Sequence, residues 1–302
     1  MASFGFMVIR GLFAAAEHVA PRLTGRAAFE LFCRTPDPQR LSARERRAVE
    51  DAADFMAEGR VHRLPVGGGC IVAYDFAPEA GRRRAETVLV VHGWRSRTEH
   101  MRNVIEGLTG AGFRVIAIDL PGHGRSTGRR LNMALAVEAA HVAEEWFGPF
   151  AAVVGHSFGG AVATNAVAGS VDGFAPMMTR KLVLISAPSS MPAIFEDFGR
   201  FLKLGTRAQM AVAEQVRRVT GHPLEEFVGA EQLARHRVPA LVIHAPDDKE
   251  VSPENATEFA AAGRHVELTW APGLGHRRIL ADRTVVEAIA GFVTRGRHHA
   301  AA

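Results

Sequence analysis

Ala151-Ala152-Val153-Val154-Gly155-His156-Ser157-Phe158-Gly159-Gly160 is the stretch on which the fold turns. A short apolar run, as a buried strand requires, is followed at once by G-x-S-x-G and then by a helical pattern starting near Phe158. In a chain with 30 glycines the five-residue pattern arises by chance, so its flanks decide. A strand that turns abruptly into a helix holds its apical residue in a strained conformation. The flanking glycines let the two elements approach, and the apical side chain stands at the carboxyl end of the strand beside a helix N-terminus. Ser157 is therefore the candidate nucleophile.

Outward from this point, further apolar runs alternate with helical patterns: Val88–Val91, Val115–Leu120, Leu182–Ser186, Ala240–His244 and His265–Trp270. Continuous apolar strands with helices between them predict a parallel sheet covered on both faces. Residues 61–66 and 70–76 flank Gly67-Gly68-Gly69 and predict a hairpin at the sheet edge. That makes about eight strands in an α/β, mostly parallel sheet. Helices are expected at 101–108 (ended by Gly112), at 132–147, from a Ser252 N-cap with Pro253 in the first turn through about 262, and after an Asp282 cap. The expected organisation is a helical N-terminal extension over 1–60, a core over 61–186 and 238–296, a short helical lid over 187–237 and a polar tail over 297–302. An insertion as long as the lid is usually functional. Its apolar residues Ile194, Phe195, Phe198, Phe201 and Leu202 either serve a lipidic substrate or form the lid's own core.

A serine hydroxyl needs a base. Among 14 histidines, His276 in Gly273-Leu274-Gly275-His276 follows the last strand and returns to the carboxyl edge of the sheet. His92 ends an earlier strand and braces its loop, and His156 adjoins the nucleophile with its ring expected to point away; with Gly93 these two are the expected pocket residues. The base needs an acid to fix its tautomer. Asp247 and Asp248 after Ala240–His244 both qualify, one facing His276 and the other serving a turn. An oxyanion needs backbone donors, here expected from the N–H groups of Phe158 and Trp94. Arg277 and Arg278 either meet an anionic substrate or lower the His276 pKa, or else are solvated or paired with acids on the last helix.

The chain has 302 residues, 47% hydrophobic and 23% charged, which excludes wholesale disorder. Net charge is +4 and almost all the basic residues are Arg; the longest basic run, Arg82-Arg83-Arg84, is too short for a nucleic-acid arm. No metal is expected, for want of HExxH or CxxC. No nicotinamide cofactor is expected either: Gly122, Gly124 and Gly128 have the wrong spacing for a dinucleotide loop. Cys33 and Cys70 make no disulfide framework and fit a reducing compartment, so a cytoplasmic location is expected. The apolar segment from Phe4 to Ala16 is too short to span a bilayer. It is read as a helix packed on the domain, with contact to a membrane surface or a partner helix the less favoured alternative.

Four blocks together resemble the α/β-hydrolase fold superfamily across about residues 60–295: VLVVHGW at 88–94, VIAIDLPGHGRS at 115–126, GHSFGG at 155–160, and HAPDDKEVSP at 244–253 with GLGH at 273–276. Aligning His244 and Val251 with the family's H-G-x-x-D-x-x-V places the acid at Asp248; Ala245 departs from the usual Gly. The resemblance implies a triad of Ser157, Asp248 and His276. A serine at the elbow also sets the chain apart from haloalkane dehalogenases and epoxide hydrolases, which use aspartate there. The expected function is cofactor-independent hydrolysis of a small-molecule acyl ester, with thioesterase, lactonase or acyltransferase action, or non-catalytic ligand binding, as alternatives. Oligomeric state is not set by the sequence.

Overall fold

The computed structural model describes residues 4–295 apart from 39, 80 and 82–85. The Arg82-Arg83-Arg84 run and the tail at 297–302 lie outside the described residues. Eight strands form one sheet: β1 (Arg60–Val66), β2 (Gly69–Phe76), β3 (Thr87–Val91), β4 (Arg114–Asp119), β5 (Phe150–His156), β6 (Leu182–Ile185), β7 (Ala240–His244) and β8 (Val266–Trp270). Their order is β1-β2-β4-β3-β5-β6-β7-β8. The β1–β2 hairpin lies at one edge and β2 pairs antiparallel with β4; every pair from β4 to β8 is parallel. The chain is thus an α/β protein with a mostly parallel sheet.

Helices α1 (Phe4–Val19), α2 (Pro21–Cys33), α3 (Ala43–Asp51) and α4 (Ala53–Glu58) precede the sheet. Within it come α5 (Arg102–Gly110), α6 (Met133–Phe147) and α7 (Phe158–Ala168). Between β6 and β7 lie α8 (Met191–Leu202), α9 (Thr206–Thr220) and α10 (Gly229–His236); α11 (Glu254–Ala260), α12 (Gly275–Arg278) and α13 (Arg283–Thr294) complete the chain. The strands read as unbroken apolar runs because both faces are covered. Val88 and Val90 pack with Val104, Ile105 and Leu108 of α5 and Ile289 of α13. Leu89 and Val91 point the other way, into the layer of α6 and α7. Full burial of each such side chain is worth roughly 1.5–3 kcal/mol.

Local signals hold at several ends. Asn132 caps α6 through Leu135 N–H, and Asp282 caps α13 through Val285 N–H. One fails: Ser252 does not cap α11 through its side chain, and Pro253 precedes the first helical residue, Glu254. The backbone carbonyls of Ser252 and Pro253 instead receive the N–H groups of Asn255 and Ala256, so a backbone turn opens the helix. Within 187–237, α10 packs on α7 and α11 as part of the layer covering the sheet, while α8 and α9 pack toward the N-terminal helices. Of the N-terminal helices, α1 packs on α2 and α8, and α2 packs on α9. Gly25 lets α2 cross α9 closely, since a Cβ there would stand 2.2 Å from the Ala208 carbonyl oxygen. Phe29 of α2 stacks against Phe195 of α8 at 6.2 Å, and Phe32 meets the same ring at a tilt at 4.4 Å.

Candidate active site

The strand order reverses about β3, with β4 on one side and β5 on the other, and a crevice forms beyond the carboxyl ends at such a point. Ser157 stands there, directly after β5, with φ 53° and ψ −125°, a conformation that costs a non-glycine residue about 1–3 kcal/mol. Its neighbours explain why it persists. A Cβ at Gly155 would lie 2.3 Å from Gly159 O, and one at Gly159 would lie 2.3 Å from Val91 O. Both are places where only glycine fits, and the Ser157 N–H donates to Ile185 O at 2.8 Å.

Two loops bring the other groups. After β7 the chain turns at Asp248, whose Oδ1 accepts the N–H groups of Glu250 at 2.8 Å and Val251 at 3.0 Å. Its Oδ2 accepts the Nδ1–H of His276 at 2.8 Å. Burial alone would raise this carboxyl, but the bonds from His276, Val251 and Glu250 outweigh it and hold it well below the carboxylate range. Asp247 has other work: its Oδ1 accepts Gly273 N–H at 2.8 Å, stitching the loop after β7 to the loop that carries His276. His276 is buried in α12. Its Nδ1–H is committed to Asp248, which leaves the Nε2 lone pair for a proton.

Ser157, His276, His156 and Trp94 line one cavity of about 860 Å³. Among the described residues no hydrogen bond joins Ser157 Oγ to the His276 ring; such bonds in unliganded sites commonly close only around substrate. Glu250 Oε2 lies 4.0 Å from His276 Nε2 and is clamped by Arg277. Arg277 thus pairs with an acid on the β7 loop rather than the last helix, and Arg278 donates to Gly273 O.

The loop after β3 approaches from the opposite side. Among the described residues the N–H groups of Trp94 and Phe158 have no hydrogen-bond acceptor, so both stay free for an incoming oxygen. Gly93 allows the approach: a Cβ there would lie 2.9 Å from Ser157 Cβ. His92 does not line the cavity. Its Nε2 accepts Leu120 N–H at 3.0 Å and its Nδ1–H donates to Gly93 O at 2.7 Å, tying the ends of β3 and β4 together. His156 does face the cavity, its ring 4.7 Å from that of His276, and its Nε2–H donates to His276 O. Burial, then the neighbouring His276, pushes its pKa down to about 3, so it stays neutral and positions the ring beside it.

Sequence reasoning passed over three contributors. His123 accepts Arg95 N–H at Nε2, 3.1 Å, and donates from Nδ1 to Pro121 O, which holds Arg95 at φ 52° and fixes the Trp94 turn. Asp119 is fully buried and receives Thr98 N–H, Thr98 Oγ1–H and Arg125 N–H, locking the next segment. Both stand in VIAIDLPGHGRS, where polar residues inside an apolar strand-to-loop run were the available signal. Phe32 is the third. It lines a second cavity of about 670 Å³ with Ile194, Phe198 and Phe201, and this cavity meets the first at Trp94, Arg95, Ser157, Glu250 and Val251. Phe195 lies behind it in a smaller, mostly apolar pocket with Phe29, Cys33 and Phe158. The spacing of Phe29, Phe32 and Cys33 marked an apolar face but not what it would cover. Cys33 and Cys70 are both free thiols, and burial pushes Cys33 up to about 12. Among the described residues, no group of three His, Cys, Asp or Glu side chains could hold a metal ion.

A family model described as the alpha/beta hydrolase family matches residues 88–288. The dihydrolipoyllysine-residue acetyltransferase component of the acetoin cleaving system of Cupriavidus necator is 38% identical over 125 residues, 38% of this chain and 32% of that protein. Epoxide hydrolase B of Mycobacterium tuberculosis is 36% identical over 109 residues, 34% of this chain and 30% of that one. The chain thus spans about a third of the length of these curated relatives. Among solved structures, Est1E from Butyrivibrio proteoclasticus superposes with a TM-score of 0.60 at 18% identity, over 77% of this chain and 96% of its own, a likeness of fold.

Proposed function

Because the chain belongs to the alpha/beta hydrolase family, we propose that it is a serine hydrolase that cleaves an ester-type acyl bond of a small molecule, a carboxylesterase. The observation that carries this reading is the 2.8 Å bond from His276 Nδ1–H to Asp248, with the strained Ser157 lining the same cavity as His276 and the unengaged N–H groups of Trp94 and Phe158 close by in the chain. His276 Nε2 takes the Ser157 Oγ proton as that oxygen bonds to the substrate carbonyl carbon. The carbonyl oxygen becomes an oxyanion between Phe158 N–H and Trp94 N–H; removing one such donor costs about 3–4 kcal/mol in acyl transfer. The C–O bond to the alcohol breaks, and His276 gives the alcohol its proton. Water, deprotonated by the same nitrogen, then splits the acyl-enzyme. Throughout, Asp248 holds the ring in one tautomer and offsets the charge of the imidazolium.

The nucleophile separates this chemistry from that of an epoxide hydrolase. An epoxide opened by a serine oxygen would leave an ether, which this site has no means to hydrolyse. An acyl group leaves an ester, which it can.

A panel of p-nitrophenyl esters of rising chain length, with a serine-reactive fluorophosphonate, tests the reading. Turnover and labelling are expected in the native chain and absent in Ser157→Ala. Labelling of the variant at an undiminished level, or no turnover of any ester by the native chain, overturns it.

A further inference from the structure

Ser157 stands where two cavities meet, and its partners divide between them. The first, of about 860 Å³, is lined by His276 and His156 but not by Phe158. The second, of about 670 Å³, is lined by Phe158 but not by His276. Each falls within the range of about 300–1,000 Å³ typical of a site that encloses a ligand. The N-terminal helices supply part of both walls: Glu45 and Ala48 of α3 in the first, Leu31 and Phe32 of α2 in the second.

The two cavities offer different chemistry. The second is walled by Leu31, Phe32, Ile194, Phe198 and Leu202, and the charged residues peculiar to it, Arg34, Arg129 and Asp197, are all exposed and so belong to its rim. In the first, polar groups reach inside: Glu99 is buried, and Glu45, Ser96, Arg102 and Asn103 are half-buried. Their charges are already matched. Glu99 binds Arg97, Arg102 binds Glu106, Glu250 binds Arg277, and Glu45 closes the helix cap at Ser42. Among the described residues three side chains on this wall remain unengaged: the half-buried Asn103 amide, and the Arg95 guanidinium and Asp51 carboxylate at the exposed rim. A wall of free donors and acceptors with no net demand for charge suits hydroxyl groups, each of which both donates and accepts.

The reaction assigns the sides. In the serine-hydrolase reading, on which this inference rests, Ser157 Oγ bonds to the carbonyl carbon, the C–O bond to the alcohol breaks, and the proton on His276 Nε2 passes to the departing oxygen. The departing group must therefore lie on the His276 side, which is the first cavity, and the acyl chain on the other. We propose that the substrate is an ester of an apolar acyl chain, held in the second cavity, with an uncharged, hydroxyl-rich alcohol (a polyol or sugar) held in the first.

Hexanoate esters of ethanol, glucose and glucose 6-phosphate vary the alcohol, and p-nitrophenyl esters of rising length vary the acyl chain. The glucose ester is expected to exceed the ethyl ester in kcat/KM by about tenfold or more, through KM, because the alcohol is held equally before and during reaction. It is also expected to exceed the phosphate ester. Ala48→Trp narrows the first cavity and is expected to remove the glucose preference while keeping the acyl-length profile. Asn103→Ala, a smaller change, is expected to lower that preference about fivefold, the worth of one hydrogen bond. Ala193→Trp, at the exposed lip of the second cavity, is expected to shift the profile to shorter chains and keep the glucose preference. All three variants should retain the native circular dichroism spectrum. The opposite pairing of variant and effect overturns the assignment of sides. Equal turnover of the ethyl and glucose esters, or faster turnover of the phosphate ester, overturns the uncharged polyol. Failure of the native chain on p-nitrophenyl esters of every length overturns the hydrolase reading and this inference together, whereas p-nitrophenyl turnover with any of the contrary results overturns the inference alone.

Discussion

Asp247 and Asp248 are the same side chain one position apart, and the turn at Ala245–Asp248 aims them at different partners. Asp248 takes the His276 Nδ1–H, whereas Asp247 takes a backbone N–H. Asp248→Asn presents an amide that can donate to Nδ1 and favour the wrong tautomer. It is expected to lower kcat by roughly 10³–10⁴-fold with little change in KM. Asp247→Asn keeps an oxygen for Gly273 N–H and should stay within a few-fold of native. Asp247→Ala loses that bond, worth about 1 kcal/mol, and should lower Tm. Steady-state kinetics on one p-nitrophenyl ester and thermal melts of the three variants check this; equal losses of kcat at both positions would contradict the assignment. Local pattern named both aspartates as candidates, but the direction of a carboxylate within a turn is set by which N–H groups and which ring lie beyond it.

At the scale of elements, the N-terminal helices make the site larger than the segment after residue 60 could. Phe32 stands between Phe195 at 4.4 Å, Phe198 at 5.1 Å and Trp94 at 6.2 Å, and it lines both the larger cavity and the smaller apolar pocket behind it. Phe32→Ala removes the wall between them. The preferred p-nitrophenyl ester is expected to lengthen by several carbons, at a cost of up to about 3 kcal/mol in stability because Phe32 is only half-buried. The chain-length profile and a urea titration measure the two effects; an unchanged profile would show that the acyl group occupies the other cavity. In the sequence, α1 and α2 read only as apolar periodicity before a sheet. Their partners, α8 and α9, lie more than 150 residues further on, and no local signal records a contact across that separation.

Across the whole molecule, several histidines are buried neutral. Burial, followed by the neighbouring His276, pushes His156 down to about 3; burial, followed by the neighbouring His123, pushes His92 well below its ordinary value; and burial lowers His123. In the unfolded chain these rings titrate near 6.5. Below that pH the unfolded chain binds protons that the folded chain refuses, so stability falls as pH falls, by up to about 1.4 kcal/mol per pH unit for each ring. The depressed Asp248 adds a second loss that begins lower: its contribution is present above the unfolded carboxyl value, near 3.9, and disappears as pH drops through its folded value. Urea midpoints measured from pH 7.5 to 4.5 should therefore decline steadily, and less steeply in His156→Gln. A flat profile would refute the neutral assignment.

The mostly parallel sheet with its edge hairpin, the strand-to-helix turn at Ser157 and the loops that carry His276 and the two aspartates were legible in the sequence alone. Each depends on period and turn chemistry over a few neighbouring residues, and physical chemistry at that range leaves few options. The bracing by His123, the turning of the His156 ring toward the cavity and the aromatic wall supplied by α2 were decided only by tertiary structure. Those properties come from what a side chain meets across the fold. A periodic pattern states that a face is apolar, and packing alone determines whether another part of the chain ever reaches it.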